Sequence, residues 1–179
     1  VLQQQVPVRV WGWASDGETV KVTFRGQSAT AEAVGGQWSV TLTPLEAGGP
    51  FDMTIAGKNS LVIRDVLVGE VWVCSGQSNM EWPLERAAAS QADISAPADP
   101  LLRMFTVGRQ LAEAPRADVS AGAWERATPQ TRGHFSAVGY YFGQALRRAR
   151  KVPIGLIHTS WGGTPAEAWT SRAALRKWG

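Results

Sequence analysis

The chain has 179 residues, 44% hydrophobic and 18% charged, with nineteen Gly, ten Pro and nine Trp, which excludes a largely disordered, collagen-like or low-complexity polypeptide. Its length suits one ordinary domain or two small ones with real cores. The net charge of +3 hides an asymmetry, because residues 1–70 carry five basic and seven acidic side chains and residues 71–179 carry thirteen and eight, a break that points to two domains.

From Val6 to about Val66, short runs of alternating character are separated by turn residues. Val8–Trp11, Val20–Phe24, Ala29–Ala33, Trp38–Leu42, Phe51–Ile55 and Leu61–Asp65 read as strands, divided by Asp16-Gly17, Arg25-Gly26, Gly35-Gly36, Gly48-Gly49-Pro50 and Gly57-Lys58-Asn59. Even spacing with hairpin turns predicts an antiparallel β-sandwich over residues 1–66. Trp11, Trp13 and Trp38 are assigned to its core or its interface.

After Gly69 the texture changes. Glu70-Val71-Trp72-Val73-Cys74 is an apolar run of the kind found in a strand covered on both faces, so an α/β domain is expected over residues 67–179. Leu101–Val107 is one further strand within long stretches rich in Ala, Asp, Pro and Thr, read as loops over an active face. Phe135, Val138, Tyr141, Phe142, Ala145 and Leu146 follow helical spacing and define an amphipathic helix with its apolar stripe on that side. The basic run Arg147, Arg148, Arg150 and Lys151 suits the C-terminal turn of this helix rather than a nucleic-acid surface, and no nucleic-acid partner is expected. Val152–Ile157 is the next buried strand. It leads through Trp161-Gly162-Gly163 to a helix capped by Thr164, with Pro165 at its first position and Glu167 closing a capping box.

The single cysteine, Cys74, excludes an internal disulfide and a cysteine-based zinc site, and two histidines leave too few ligands for a metal cluster. Neither metal nor cofactor is expected. The longest apolar stretch, Val66 to Cys74, is interrupted by Gly69 and Glu70 and is too short to cross a bilayer, so no membrane span is expected. No signal peptide is visible, and the opening Val1-Leu2-Gln3 suggests that the true start lies upstream.

Two segments carry candidate chemistry. Cys74-Ser75-Gly76-Gln77-Ser78-Asn79-Met80 begins where a buried strand ends, and in an open α/β sheet the crevice outside the carboxyl ends of the strands is where ligands bind. Ser78 is thus placed as a nucleophile whose own N–H can serve an oxyanion, with an ordinary polar turn as the bland alternative. The Gly162-Gly163 turn can aim an unobstructed backbone N–H into the same crevice, or can simply need glycine for its dihedrals.

Taken together, Val71–Trp82 with its Cys74-Ser75-Gly76-Gln77-Ser78-Asn79-Met80 core, Phe135-Ser136-Ala137-Val138-Gly139-Tyr140-Tyr141-Phe142, and Pro153–Ile157 with Ser160-Trp161-Gly162-Gly163-Thr164-Pro165-Ala166-Glu167-Ala168-Trp169 resemble the sialate O-acetylesterase family of SGNH hydrolases. The resemblance runs through essentially the whole chain. It implies a flavodoxin-like, three-layer hydrolase domain after the β-domain, and a metal-free serine esterase acting on O-acetyl groups of sialic acids or related sugars. Ser78 matches the family nucleophile, and the second oxyanion-hole glycine falls at Gly163, with Gly162 as the one-residue alternative. Gln77, Asn79, Trp82 and Trp161 are candidate substrate contacts, the two tryptophans having loop packing as the equal alternative. Ser75 is expected still to be in the strand.

The family also requires a third-block Asn and an Asp-x-x-His motif, and neither is present. His134 and His158 have Thr131 and Gly155 three residues earlier, and His158, at a strand end, reads as a structural histidine. The chain is therefore expected to be the N-terminal portion of a larger enzyme, completed by a C-terminal portion that is either absent or a separate chain. Export to the periplasm or outside the cell follows from the substrate class. A general SGNH lipase or thioesterase and a non-catalytic carbohydrate-binding fragment are the competing readings. Cys74 is read as a buried hydrophobe rather than a thiol nucleophile.

Overall fold

The computed structural model describes residues 1–88 and 90–177, so the last two residues of the expected 67–179 domain lie outside it. Its elements form a mixed sheet arrangement with few helices, divided into two units, Val1–Val71 and Trp72–Gly179. Among the described residues no helix is long and apolar enough to cross a membrane.

The first unit holds β1 (Leu2–Gln3), β2 (Val8–Trp13), β3 (Thr19–Phe24), β4 (Gln27–Glu32), β5 (Gln37–Leu42), β6 (Gly48–Ala56) and the start of β7 (Ser60–Gly76). Strands β4, β3, β6 and β7 pair antiparallel in that order, β1 adds to β7 in parallel, and β2 and β5 form a separate antiparallel ribbon. The alternation visible in the sequence is the alternation of burial. In β3, Val20, Val22 and Phe24 turn inward, and in β5, Trp38, Val40 and Leu42 do so. These six, with Val8, Met53 and Val68, belong to one apolar cluster. Trp38 is buried, but Trp11 and Trp13 are 46% and 57% exposed and meet edge to face on the outer side of the ribbon, so the assignment of all three to core or interface holds only for Trp38 within this unit. The reason is parity: Trp11 and Trp13 share the face of Arg9, opposite to Val8 and Val10.

The runs expected as Leu61–Asp65 and Glu70–Cys74 are one long strand, β7. Register shifts against β6 and a positive φ of 61° at Asp65 mark the irregularity that separates the two runs in the sequence.

In the second unit, β7 leads to α1 (Ser78–Glu81), a 3-10 turn at Leu84–Arg86, α2 (Gln91–Ser95), β8 (Asp99–Thr106) and β9 (Trp124–Ala127). A 3-10 turn at Arg132–His134, α3 (Ala137–Arg150), β10 (Ile154–Ser160), a 3-10 turn at Ala166–Trp169 and α4 (Arg172–Leu175) follow. The strand order is β7-β10-β8-β9, with β10 parallel to β8 and β9 antiparallel to it. Leu102, Met104, Ile154 and Leu156 form the core with Cys74, Leu84, Phe135 and Tyr140.

Helix α3 is present, with Ser136 Oγ accepting the Gly139 N–H as its cap and Lys151 closing it in the left-handed region. Its buried face is Ala137, Gly139, Tyr140 and Gly143, however, and Val138, Tyr141 and Phe142 are exposed, which reverses most of the expected stripe. Small residues let the helix backbone lie close to the sheet, and a hydrophobicity count cannot see that preference. The capping box at Thr164 does not form. Thr164 Oγ1 instead donates to the Trp161 carbonyl and accepts from the Trp169 indole, so the turn at Ala166–Trp169 has no side-chain cap.

Arg132 is the largest fully buried side chain. Its guanidinium donates to the carbonyls of Asp93, Ala96, Pro97 and Ala127 at 2.6–3.1 Å. It thereby fixes the segment after α2 and the end of β9.

Candidate active site

Strand β7 ends at Gly76, and Gln77 and Ser78 turn directly into α1, so Ser78 stands at the carboxyl end of the strand. Ser75 is still in β7, with its hydroxyl directed to the Thr159 carbonyl. Beside this strand end runs β10, whose exit is tied to it by Trp161 N–H donating to the Gly76 carbonyl at 3.0 Å. The segment after α1 is held by hydrogen bonds from Ala137 N–H to the Trp82 carbonyl and from Leu84 N–H to the Phe135 carbonyl, both 2.9 Å.

A cavity of about 470 Å³ opens at this point, lined by Ser78, Glu81, Trp82, Pro83, Glu85, Arg86, Thr106, Arg109, His134 and His158. Ser78 is exposed, and its hydroxyl donates to Gln77 Oε1 at 3.2 Å. Gly162 borders it: a methyl group on Gly162 would lie 3.4 Å from Ser78 Oγ. Gly163 has a φ of +77° and open space around the position of a Cβ, as a free turn amide requires. The structure therefore brings together Ser78, Gln77, Trp82 and the glycine turn. It does not place Asn79 in this lining, and Trp161 lines a neighbouring cavity of about 350 Å³ with Trp169 and Arg109.

Both histidines reach the cavity wall, and neither bonds to Ser78. His134 pairs with Glu85 at 3.1 Å. His158 is buried against Phe135 and shares a short hydrogen bond between its Nε2 and Ser160 Oγ. Burial, reinforced by the positive charge of Arg109, lowers its pKa below the ordinary histidine value. The one serine that a described histidine engages is thus Ser160 and not Ser78.

Sequence reasoning missed the charged partners. Glu81 accepts hydrogen bonds from Arg109 and from the Gly162 N–H, and these hold its carboxyl below the usual carboxylate range, Arg109 first. Arg109 in turn lies over the Trp161 ring, 5.7 Å from its centroid. Glu81 was in plain view beside the Ser78 motif, but nothing in the spacing links it to a residue 28 positions later.

The sequence profile described as carbohydrate esterase, sialic acid-specific acetylesterase matches residues 68–177. The chain belongs to that family. The sialate O-acetylesterases of Rattus norvegicus and Homo sapiens are each 37% identical over 190 residues, 95% of this chain. The chain spans about a third of those acetylesterases, 35% and 36% of their length. A carbohydrate acetylesterase from Xanthomonas citri, known from its crystal structure, aligns with a TM-score of 0.96 at 43% identity, over 98% of this chain and 41% of that one. The family's matched segment begins inside β7 and includes Ser78, the glycine turn and every residue of the cavity lining.

Proposed function

We propose that this chain carries the nucleophile-bearing portion of a serine carbohydrate esterase that removes O-acetyl groups from sialic acids or related acetylated sugars. One observation carries the reading: Ser78 stands exposed at the end of β7, in a cavity that charged side chains share with Trp82 and Pro83, beside the glycine turn that follows β10. We read the first unit as a β-sandwich and the second as the first part of an SGNH three-layer domain.

In the proposed reaction Ser78 Oγ attacks the acetyl carbonyl carbon. Its proton passes to a histidine supplied by the remaining portion of the enzyme. The tetrahedral oxyanion is held by the N–H groups of Ser78 and Gly163 with an Asn from that portion. The sugar alcohol leaves with the proton, and water attacks the acetyl-serine to release acetate and restore Ser78. Export to the periplasm or beyond the cell suits such a substrate. The exposed apolar residues Trp72, Val73, Val138 and Phe142 support a further portion of the same enzyme as the partner of this unit.

A fluorophosphonate probe followed by intact mass measurement tests the reading. Label on Ser78, lost in Ser78→Ala and accompanied by a co-purifying second polypeptide, is the expected result. An unlabelled species of 19.3 kDa alone would overturn it. A second reading, glycan binding without catalysis, is favoured by one feature, a hollow of about 290 Å³ lined by Arg9, Trp11, Glu32, Gln37 and Ser39. An exposed indole beside polar groups suits a pyranose ring, and Trp11→Ala would then abolish sugar binding measured by calorimetry.

A further inference from the structure

Glu81 ends α1, three positions after Ser78, and so stands one helical turn from it on the same side. Its two oxygens are used separately, since Oε2 accepts the Gly162 N–H and Oε1 accepts the Arg109 guanidinium. One side chain thus joins the segments that follow β7, β8 and β10, all three at the cavity that holds Ser78. The approach is close, because a methyl group on Gly162 would come 2.5 Å from Glu81 Oε2. Gly163, by contrast, makes no hydrogen bond from its N–H to any described residue.

Building on the esterase reading above, we infer that Glu81 is a positioning residue: it takes the Gly162 N–H, locks the Trp161–Gly163 turn beside Ser78, and leaves the Gly163 N–H for the substrate's carbonyl oxygen. A hydrogen bond to an ionised acceptor is stronger than a neutral one, so the carboxylate is a firm anchor for a turn that contains two glycines. Donors lower a barrier to the degree that they are fixed before charge develops, which gives the anchor a kinetic role. A bare carboxylate near a forming oxyanion would oppose the reaction. Arg109 cancels that charge, and its place over Trp161 keeps it there.

The test compares Glu81→Ala, Glu81→Gln and Arg109→Met with the parent enzyme, each assembled with the remaining portion. Turnover of 4-nitrophenyl acetate and the Gly162 amide resonance are followed together, with thermal melting to verify folding. Removing an oxyanion donor costs on the order of a hundredfold in kcat, so loosening one by Glu81→Ala is expected to lower kcat by roughly tenfold or more, with KM nearly unchanged. Glu81→Gln keeps an acceptor oxygen and is expected to recover most of the rate. Arg109→Met leaves the carboxylate uncompensated and is expected to lower kcat as well. The Gly162 amide should move upfield in Glu81→Ala and much less in Glu81→Gln. Folded Glu81→Ala with the parent kcat, or with an unmoved Gly162 resonance, overturns the inference. A parent enzyme that neither turns over the ester nor takes label at Ser78 would instead sink the esterase reading, and the positioning role with it.

Discussion

At the scale of single residues, Ser78 shares its cavity with a tied pair, Glu81 and Arg109. Ser78 follows an apolar strand run and a glycine, a local pattern that puts it at a strand's carboxyl end, although the run expected to be covered on both faces leaves Trp72 and Val73 exposed. Glu81 and Arg109 meet only because three chain segments converge, and a linear pattern holds no trace of such a meeting. Their pairing has a pH consequence. The partners of Glu81, Arg109 first and then the Gly162 N–H, with His158 nearby, depress its pKa, so the tie is fully formed above the ordinary carboxylate value and is lost as pH falls through the lowered one. In an amide NMR titration the Gly162 signal is therefore expected to shift with a midpoint below the ordinary carboxylate value of 4.5; a midpoint at or above 4.5 would contradict the pairing. His158 has the same sign. Its folded pKa lies below 6.5, so the unfolded chain takes up the proton first and acidification from 6.5 downward erodes stability. Cys74 is buried against Gly139 of α3, and desolvation pushes its thiol up. It should resist iodoacetamide in the native protein and react once denatured; rapid native labelling would refute the burial.

At the scale of elements, strands of the first unit could be read almost directly, because one face is buried and period two appears in the residues themselves. The helix α3 could be read as a helix but not oriented. Its exposed face carries Val138, Tyr141 and Phe142, and its buried face carries Gly139 and Gly143, so side-chain hydrophobicity pointed the wrong way while backbone proximity decided. Strand β9 and the short helices around α1 carry too few residues for any period to emerge. Ser136 is fully buried and its hydroxyl holds the first turn of α3. Ser136→Ala is expected to cost about 1 to 2 kcal/mol in chemical denaturation, and a change below about 0.3 kcal/mol would mean that the cap is redundant.

At the scale of the whole molecule, the charge break near residue 70 and the change from alternating to continuous apolar runs both lie close to the division at Val71 and Trp72. In the second unit the β7 side chains Trp72 and Val73 are 43% and 64% exposed. Exposed apolar side chains of this size invite association, so the isolated chain is expected to self-associate, and Val73→Lys should lower its weight-average mass in sedimentation. No change would place the association elsewhere. Arg132 sets a different limit on the same unit. It has four carbonyl partners and no carboxylate, and its burial is complete. Backbone carbonyls do not titrate, so acid finds no partner of this clasp to neutralise. The Glu81–Arg109 tie, by contrast, depends on an ionised carboxylate. On acidification the tie at the cavity should therefore let go while the Arg132 clasp still joins the segment after α2 to the end of β9.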